Sequence, residues 1–215
     1  MDIAIIDYKM SNLFSVKAAC NKVGLSSVIT SDENEILSAQ IAILPGVGAF
    51  AEAMKSLTHL RLNNTIFKFI ETGKPFIGIC LGLQLLFERS EEFGNTKGLG
   101  VVSGEVKKFK FFTENGIKYP VPQIGWNKVY NNGNSWENTY LENIKVNDFM
   151  YFVHSYYVIP EDNKIELSFT NYGGNKYCSS IQKDNIFACQ FHPEKSGKAG
   201  IAIYKNILGK VKELK

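Results

Sequence analysis

A cysteine between two glycines is the residue of this chain whose surroundings best suit chemistry. Cys80 follows the short apolar run 76–79 and precedes a helix-like segment, Leu81–Glu88. Gly78 and Gly82 flank it, and glycines let neighbouring backbone pass closely. A strand that turns sharply into a helix forces one side chain into a strained, exposed position, which is the geometry of a nucleophile elbow. Because the amides at the start of that helix favour the thiolate, we predict that Cys80 is a nucleophile.

A reactive cysteine needs a base and a group that orients the base. The chain has three histidines, and His192 is followed by a proline and then by Glu194. The proline ends the strand predicted over Ile186–Phe191, because it has no N–H and restricts the residue before it. His192 therefore lies at the carboxyl end of a strand, where open α/β sheets form their sites. In extended backbone His192 and Glu194 point to the same side, so the carboxylate can orient the imidazole as in a catalytic triad.

A glycine-rich turn after another buried strand offers candidate donors for an oxyanion. The turn Pro45–Phe50 follows the strand predicted over Ile41–Leu44 and lacks the glycine patterns that bind phosphate. Its amides and those after the cysteine would meet at one edge of the sheet. We expect Leu81 to supply one N–H of an oxyanion hole, and Val47 or Gly48 to supply the other.

The remaining cysteines and histidines fit structural roles. Cys20, Cys178 and Cys189 lie in periodic helices or strands, and we interpret them as small buried apolar residues. His59 is interpreted as a surface residue in a polar turn. His154, in the middle of a predicted strand, is interpreted as a packing residue or as one behind the site. We predict no metal site, and no cofactor, since no nucleotide fingerprint is present.

Alternating apolar runs and helical patterns in the first half predict the elements that position these residues. Strands are predicted over 3–7, 27–30, 41–44 and 76–79. Helices are predicted from Leu13 to Val23 (capped by Ser11 or Asn12), over Glu33–Ala39 (capped by Ser31), over Leu60–Thr72, and over Leu81–Glu88 after the cysteine. This alternation of strands and helices predicts an α/β fold with an open, mostly parallel central sheet and helices on both faces.

The second half is predicted to add antiparallel strands to this sheet. The predicted elements are a strand over Gly104–Phe109, a hairpin turn at Asn115-Gly116, a loop over Asn131–Asn147, one long strand over Tyr151–Ile159, a strand over Ile165–Asn171, a hairpin of Tyr177–Gln182 with Ile186–Phe191, and a helix over Ala199–Leu214. No linker or repeat divides the chain, so we predict a single domain over residues 1–215.

Composition excludes several classes of protein. The 215 residues carry a formal net charge of +3, and this net charge is too small to indicate a surface that binds nucleic acid or a membrane. No apolar run reaches the roughly 20 residues of a membrane span. The first residues lack the basic segment of a signal peptide, and the four cysteines show no CxxC pair. We therefore expect a cytoplasmic, reducing location.

Three motifs together resemble the signatures of class I (triad) glutamine amidotransferases: Pro45–Gly48, Gly78–Gln84 and Gln190–Glu194. The resemblance spans essentially the whole chain and implies that fold. It implies that Cys80 attacks the side-chain amide of L-glutamine, that His192 moves the protons and that Glu194 orients His192. It also implies roles for further residues: Val47, Gly48 and Leu81 around the oxyanion hole, and Gln84, Ser155 and Tyr156 in contact with the glutamine.

Within that family, the chain resembles the glutaminase subunits of histidine biosynthesis. The segments that carry this likeness are Glu88–Glu92, Gln123–Asn127, Tyr151–Tyr156 and His192–Ser196. The resemblance implies a heterodimer in which ammonia passes to a (β/α)8-barrel cyclase that makes imidazole glycerol phosphate. It places Trp126, Tyr151 and Lys195 near the partner interface. The family often has histidine where this chain has Gln123, a departure near the interface and outside the triad.

Three other functions are compatible with parts of this pattern. Close relatives supply ammonia for acetamidino sugars of surface polysaccharides, with an indistinguishable triad. A silent regulatory module on the same fold is disfavoured, because Cys80, His192 and Glu194 are all present. The third function is that of a thiol hydrolase acting on another amide, since a nucleophile elbow alone does not determine which substrate is bound. No second substrate site is evident in the sequence, so we expect low activity alone and strong activation by a partner.

Overall fold

The computed structural model describes residues 1–10, 12–110, 113–114, 117–133 and 135–214. The helices of this part of the chain are α1 (Leu13–Lys22), α2 (Glu33–Ser38), α3 (Phe50–His59), α4 (Leu62–Glu71), α5 (Leu81–Leu85) and α6 (Gly197–Glu213). Its strands are β1 (Ile3–Ile6), β2 (Ser27–Thr30), β3 (Ile41–Gly46), β4 (Phe76–Cys80), β5 (Phe87–Ser90), β6 (Thr96–Lys97), β7 (Val102–Lys108), β8 (Thr113–Glu114), β9 (Ile117–Lys118), β10 (Gln123–Lys128), β11 (Phe149–His154), β12 (Tyr156–Pro160), β13 (Glu166–Tyr172), β14 (Asn175–Lys183) and β15 (Ile186–Cys189).

A block of five parallel strands carries the predicted nucleophile. Across the main sheet of the described residues the order is β2-β1-β3-β4-β15-β14-β12-β7-β5-β6, with β13 paired to β14. Strands β2, β1, β3, β4 and β15 run parallel, and β14 is antiparallel to β15. The carboxyl ends of β3, β4 and β15 therefore lie at one edge. The predicted fold class, an α/β sheet covered by helices with antiparallel strands toward the C-terminal half, is confirmed.

Helices cover both faces of the parallel strands, which is why β1, β3, β4 and β15 are buried along their whole length. Successive side chains of a strand point to opposite faces. In β1, Ile3 and Ile5 pack in the core under α1 and α6, whereas Ala4 and Ile6 pack in the core under α2, α3 and α4. None of the helices in the described part of the chain has the length and apolar content that a bilayer span requires.

One helix was missed by the sequence reasoning. The predicted helix Leu60–Thr72 is α4, Leu62–Glu71, but α3, Phe50–His59, precedes it. The prediction that His59 lies in a polar turn is wrong, because it is the last residue of α3, although its side chain is exposed. Phe50, Ala53 and Leu57 are the buried positions of α3, and their helical spacing was a signal available in the sequence. Arg61, with a φ of 59°, separates the two helices.

The helix after Cys80 is shorter than predicted. It covers Leu81–Leu85 only, and the chain then extends into β5, Phe87–Ser90, which pairs in parallel with β7. The side chains of 81–87 are all buried. A segment that is apolar all round has no helical period, so its helical length could not be read from the pattern.

The long strand predicted over Tyr151–Ile159 is two strands in two sheets. Strand β11 pairs with β10 in a separate ribbon, while β12 pairs with β7 and β14 in the main sheet. The chain leaves one sheet for the other at Ser155. The continuous apolar and aromatic pattern hid this break, which faces the predicted site.

The structure also differs from the predictions at the N-terminal ends of two helices. The cap of α2 is Asp32, whose carboxylate accepts a hydrogen bond from the N–H of Glu35 at 2.9 Å, so the prediction of Ser31 is wrong. Asn12 precedes α1 without capping it by its side chain. Ser11 and the Asn115-Gly116 turn lie outside the described residues, although the flanking strands β8 and β9 are antiparallel.

Candidate active site

Cys80 lies where β4 turns into α5. Its backbone has a φ of 55° and a ψ of −108°, a region that residues other than glycine rarely occupy. The turn is tightly enclosed, since a Cβ atom on Gly82 would lie 1.9 Å from the carbonyl oxygen of Leu44. Neighbouring backbone thus holds the cysteine in its strained conformation, and the turn has the predicted geometry of a nucleophile elbow.

His192 and Glu194 form a buried pair in a short turn after β15. The Nδ1 atom of His192 lies 2.7 Å from Oε1 of Glu194. Extended backbone was predicted here, but Pro193–Lys195 form a 3₁₀ turn that starts at His192, because proline readily begins such a turn. The N–H of His192 donates to the carbonyl of Tyr151 at 2.9 Å. The hydroxyl of Ser196 donates to the carbonyl of His192 at 2.6 Å, so the backbone under the imidazole is fixed on both sides.

The surroundings of His192 favour its protonated form. Burial lowers the pKa of His192, but Cys80 and then Glu194 raise it, so that the pKa reaches about 10. Since Nδ1 is bound to Glu194, Nε2 is the ring atom left for the thiol. A protonated imidazole beside Cys80 can donate a proton from Nε2 to a group that reacts at the sulfur, which is the role of the histidine paired with a cysteine nucleophile.

Replacing Glu194 with glutamine tests this pairing. Because Glu194 raises the pKa of His192, the Glu194→Gln variant should lose the imidazolium at lower pH. The alkaline limb of kcat/KM for glutamine hydrolysis should move to lower pH. The Glu194→Gln variant should keep a kcat at least about 10-fold higher than that of a variant without the Cys80 sulfur. Profiles of kcat/KM against pH for both proteins check this, and an unmoved limb would contradict it.

A cavity of about 250 Å³ opens beside Cys80. It is smaller than the pockets of about 300–1,000 Å³ that take drug-sized ligands, so it suits a small molecule. Besides Cys80, its lining includes all six residues predicted to contact an oxyanion or the glutamine: Val47, Gly48, Leu81, Gln84, Ser155 and Tyr156. The fold therefore brings together residues that lie on three separate stretches of the chain.

The two candidate donors in the Pro45–Gly48 turn differ in this structure. The N–H of Val47 donates to the carbonyl of Met10 at 3.2 Å, which turns it away from an oxyanion. Gly48 has a φ of 102°, which suits glycine. Leu81 is the first residue of α5, and amides at that position have no acceptor within the helix. The geometry thus favours Gly48 with Leu81.

Gln190 joins the predicted residues, although the sequence reasoning gave it no role. The amide nitrogen of Gln84 donates to the carbonyl of Tyr156 at 2.9 Å and to Oε1 of Gln190 at 3.0 Å. In turn Nε2 of Gln190 donates to Sγ of Cys80 at 3.6 Å. Gln190 thus links the side chain of Gln84 to the sulfur of Cys80. The sequence signal that could have identified Gln190 was its position two residues before His192.

His154 lines the cavity as a neutral side chain. Burial lowers the pKa of His154 to about 4. Its Nδ1 lies 2.8 Å from the carbonyl of Tyr156, so Nδ1 carries the proton, and Nε2 lies 3.3 Å from the hydroxyl of Tyr177. That hydroxyl is 2.9 Å from Oε1 of Gln123. His154 thus supports the backbone at Tyr156, and it also forms part of the cavity wall, whereas the sequence interpretation placed it in the core or behind the site.

Glu92 is a second residue that sequence reasoning missed. It lines the cavity, and its Oε2 accepts a hydrogen bond of 2.6 Å from the N–H of Phe50 at the start of α3. After burial, the charge of Glu92 is the next cause that raises the pKa of Tyr156. The cavity therefore has one negatively charged wall.

The three residues predicted near a partner lie together at the surface. The rings of Trp126 and Tyr151 meet edge to face with centroids 6.0 Å apart, and Nζ of Lys195 lies 5.8 Å from the ring of Tyr151. Among the described residues no three histidine, cysteine or acidic side chains come together in a way that could bind a metal ion.

Curated proteins of known name resemble the whole chain. The sequence profile of the glutamine amidotransferase class-I family matches residues 4–211. The chain is 47% identical over 215 residues to the imidazole glycerol phosphate synthase subunit HisH of Aquifex aeolicus (strain VF5), covering 100% of this chain and 99% of that protein. It is 41% identical over 208 residues to the subunit HisH 1 of Legionella pneumophila (strain Lens), covering 96% and 98%.

Solved structures of lower identity share the fold. A crystal structure of a glutamine amidotransferase matches with a TM-score of 0.72 at 14% identity, covering 99% of this chain and 100% of that chain. The structure of PurLQS from Thermotoga maritima matches with a TM-score of 0.70 at 19% identity, covering 100% and 99%. Since the family profile spans residues 4–211 and the curated relatives align along nearly their whole length, this chain is a member of the class-I glutamine amidotransferase family.

Proposed function

We propose that this chain hydrolyses glutamine to glutamate and ammonia as the glutaminase subunit of imidazole glycerol phosphate synthase in histidine biosynthesis. One observation carries the chemistry: Cys80 lies on an elbow beside the buried pair of His192 and Glu194, at one edge of the sheet. The pathway follows from relatives of 47% and 41% identity that carry the name of that subunit.

The side chains account for each proton of the reaction. The Cys80 thiolate attacks the side-chain amide carbon of glutamine, and the developing oxyanion is stabilised by the amides of Gly48 and Leu81. As the C–N bond breaks, the His192 imidazolium protonates the departing nitrogen, which leaves as ammonia. His192 then takes a proton from water, whose oxygen attacks the glutamyl thioester. The C–S bond breaks, glutamate leaves, and the thiolate and imidazolium are restored. Glu194 orients His192 throughout.

The cavity walls suit the two ends of glutamine. Gln84, Ser155 and Tyr156 line it and would contact the amino acid. The carboxylate of Glu92 lies in the same wall, and a negative group there suits the α-ammonium of a free amino acid. We therefore add Glu92 to the residues proposed to bind glutamine.

An exposed apolar surface beside the cavity suits the proposed (β/α)8-barrel cyclase. In the β10–β11 ribbon, Ile124 pairs with Val153 and Trp126 pairs with Tyr151, which places these residues on one face. We call this surface the ribbon face; its members are Ile124, Trp126, Phe149, Tyr151 and Val153. Ile124 is 64% exposed, Trp126 54% and Phe149 51%. Large apolar residues grouped in this way mark interaction surfaces. Since Val153 also lines the cavity, a partner here would lie next to the source of ammonia.

Activation by the partner is the expected result of this arrangement. Adding the barrel cyclase and its ligand should raise glutaminase activity by about 100-fold, within the usual range of coupling between two sites. The Trp126→Ala variant should weaken both complex formation and activation. The Phe67→Ala variant is the matched control, because it removes an exposed aromatic side chain on α4, outside the ribbon face.

Co-purification with the cyclase and ammonia-transfer assays test the assignment. The proposal predicts that imidazole glycerol phosphate forms from glutamine only in the complex. Full activity of the isolated chain would contradict the partner requirement. Activation by a sugar-modifying enzyme and not by the cyclase would contradict the pathway and would favour the acetamidino-sugar alternative.

The single domain over 1–215 and the cytoplasmic location are part of the same proposal. The family profile runs through residues 4–211. The main sheet contains both β1, near the start of the chain, and β15, near its end. Cys20, Cys80, Cys178 and Cys189 are all free thiols in this structure, as a reducing compartment would keep them.

A further inference from the structure

The carboxylate of Glu194 has one oxygen that the triad does not use. Its Oε1 accepts from His192, whereas Oε2 is buried and has no hydrogen-bond partner among the described residues. A carboxylate only accepts hydrogen bonds, and a buried oxygen without a donor is unfavourable. Some donor close to the turn Pro193–Lys195 is therefore expected to complete it.

Tyr204 presents an unpaired donor on the helix that covers this turn. Its hydroxyl is fully buried and also lacks a partner among the described residues. Helix α6 lies directly on the turn, since a Cβ atom on Gly200 would be 1.9 Å from the carbonyl oxygen of Pro193. Tyr204 is one helical turn beyond Gly200 on the same face, and helical side chains lean back toward the N-terminus. Its ring thus extends toward Glu194, and after burial the charge of Glu194 is the next cause that raises the pKa of Tyr204.

We infer that the Tyr204 hydroxyl donates a hydrogen bond to Oε2 of Glu194 across one buried water, because the two atoms do not bond directly, and that Tyr204 is a positioning residue for the triad. This inference rests on the proposed function. The bond pairs the two unpaired atoms and fixes the carboxylate that orients His192. It also withdraws negative charge from Glu194, so that Glu194 raises the pKa of His192 less than an unpaired carboxylate would.

Burial shifts the pKa values of three other titratable groups around this pair. Burial raises the pKa of the Cys20 thiol to about 12 and that of the Cys189 thiol well above its usual range. Burial lowers the pKa of His154 to about 4. Lys195, over the ring of Tyr151, is the nearby cation on the turn itself. Because His192 is the group that is hydrogen-bonded to Glu194, we assign a shift of the alkaline limb in these variants to His192.

The Tyr204→Phe variant tests this role in the complex with its partner. We expect kcat/KM to fall about tenfold with KM unchanged. We expect the alkaline limb to move to higher pH, opposite to its shift in Glu194→Gln, because the carboxylate loses its donor. The melting temperature should fall, whereas removal of a hydroxyl that has no partner in solution would raise it. In the Glu194→Gln background the loss of kcat/KM should largely vanish, as a double-mutant cycle requires of coupled residues.

Tyr140→Phe is the matched control, since it removes a buried phenol hydroxyl whose charged neighbour is Glu213. It should change neither kcat/KM nor the limb. Wild-type kcat/KM and an unmoved limb in Tyr204→Phe, or an equal loss in the Glu194→Gln background, would overturn the inference. If Cys80→Ala is inactive in the same assay, either of these results for Tyr204 overturns the inference and leaves the proposed function standing. An active Cys80→Ala variant overturns the proposed function and the inference with it.

Discussion

Replacing Cys80 with alanine is expected to lower kcat/KM for glutamine hydrolysis by roughly 10³-fold or more, because the covalent route depends on its sulfur. This sulfur receives an N–H from Gln190 and is the main group that raises the pKa of His192. Alanine retains the Cβ atom and accepts the same backbone, so the fold should persist. Steady-state glutaminase assays of the complex, with circular dichroism of the purified variant, check both statements.

Cys178→Ala is the matched control for this experiment. Cys178 is buried in β14, where burial raises the pKa of its thiol well above the usual range. It should remain a thiol and take no part in the reaction, so its removal should leave activity unchanged. Retained hydrolysis in folded Cys80→Ala would contradict the assignment of the nucleophile.

Replacing Gly82 with alanine is expected to destabilise the protein by about 3 kcal/mol or more, the upper end of the cost of overpacking a core. The new Cβ atom would lie 1.9 Å from the carbonyl oxygen of Leu44, which is backbone in the centre of β3 and cannot turn aside. Helix α5 must then move away from the sheet. Since Leu81 is the first residue of that helix, this proposed oxyanion donor and Cys80 would shift with it, and activity should fall as well.

Gly209→Ala supplies the opposite result from the same substitution. Gly209 lies in α6, and nothing lies within 4 Å of the Cβ atom that alanine would add. Alanine should stabilise this helix by roughly 0.5–1 kcal/mol, because glycine loses more backbone entropy on folding. Thermal unfolding of both variants decides the matter. An unchanged melting temperature in Gly82→Ala would show that β3 and α5 are not in close contact.

The residues of the proposed triad were predictable because their sequence signals are local. Glycines on both sides of Cys80 and the proline after His192 mark a sharp turn and the end of a strand. The pairing of His192 with Glu194 was expected from extended backbone, but the contact forms in a 3₁₀ turn. The residues are thus close for a reason other than the predicted one.

The rest of the site depends on contacts between distant parts of the chain. Gln190 reaches Cys80 only because β15 lies beside β4, and Glu92 reaches the cavity only because it caps α3. The break at Ser155 was hidden because both strands that flank it are apolar and aromatic. Tyr204 is one apolar position of a periodic helix in the sequence, and its burial beside the turn of Glu194 appears only in the folded chain.

The glutamyl thioester is the species that tests the central claim most directly. Glutamine labelled in its carbon skeleton would be mixed with the complex, the reaction stopped with acid during turnover, and the peptides examined by mass spectrometry. The account predicts a labelled glutamyl group on the peptide that contains Cys80 and none in Cys80→Ala. Label on Cys20, Cys178 or Cys189, or turnover with no labelled peptide, would contradict it.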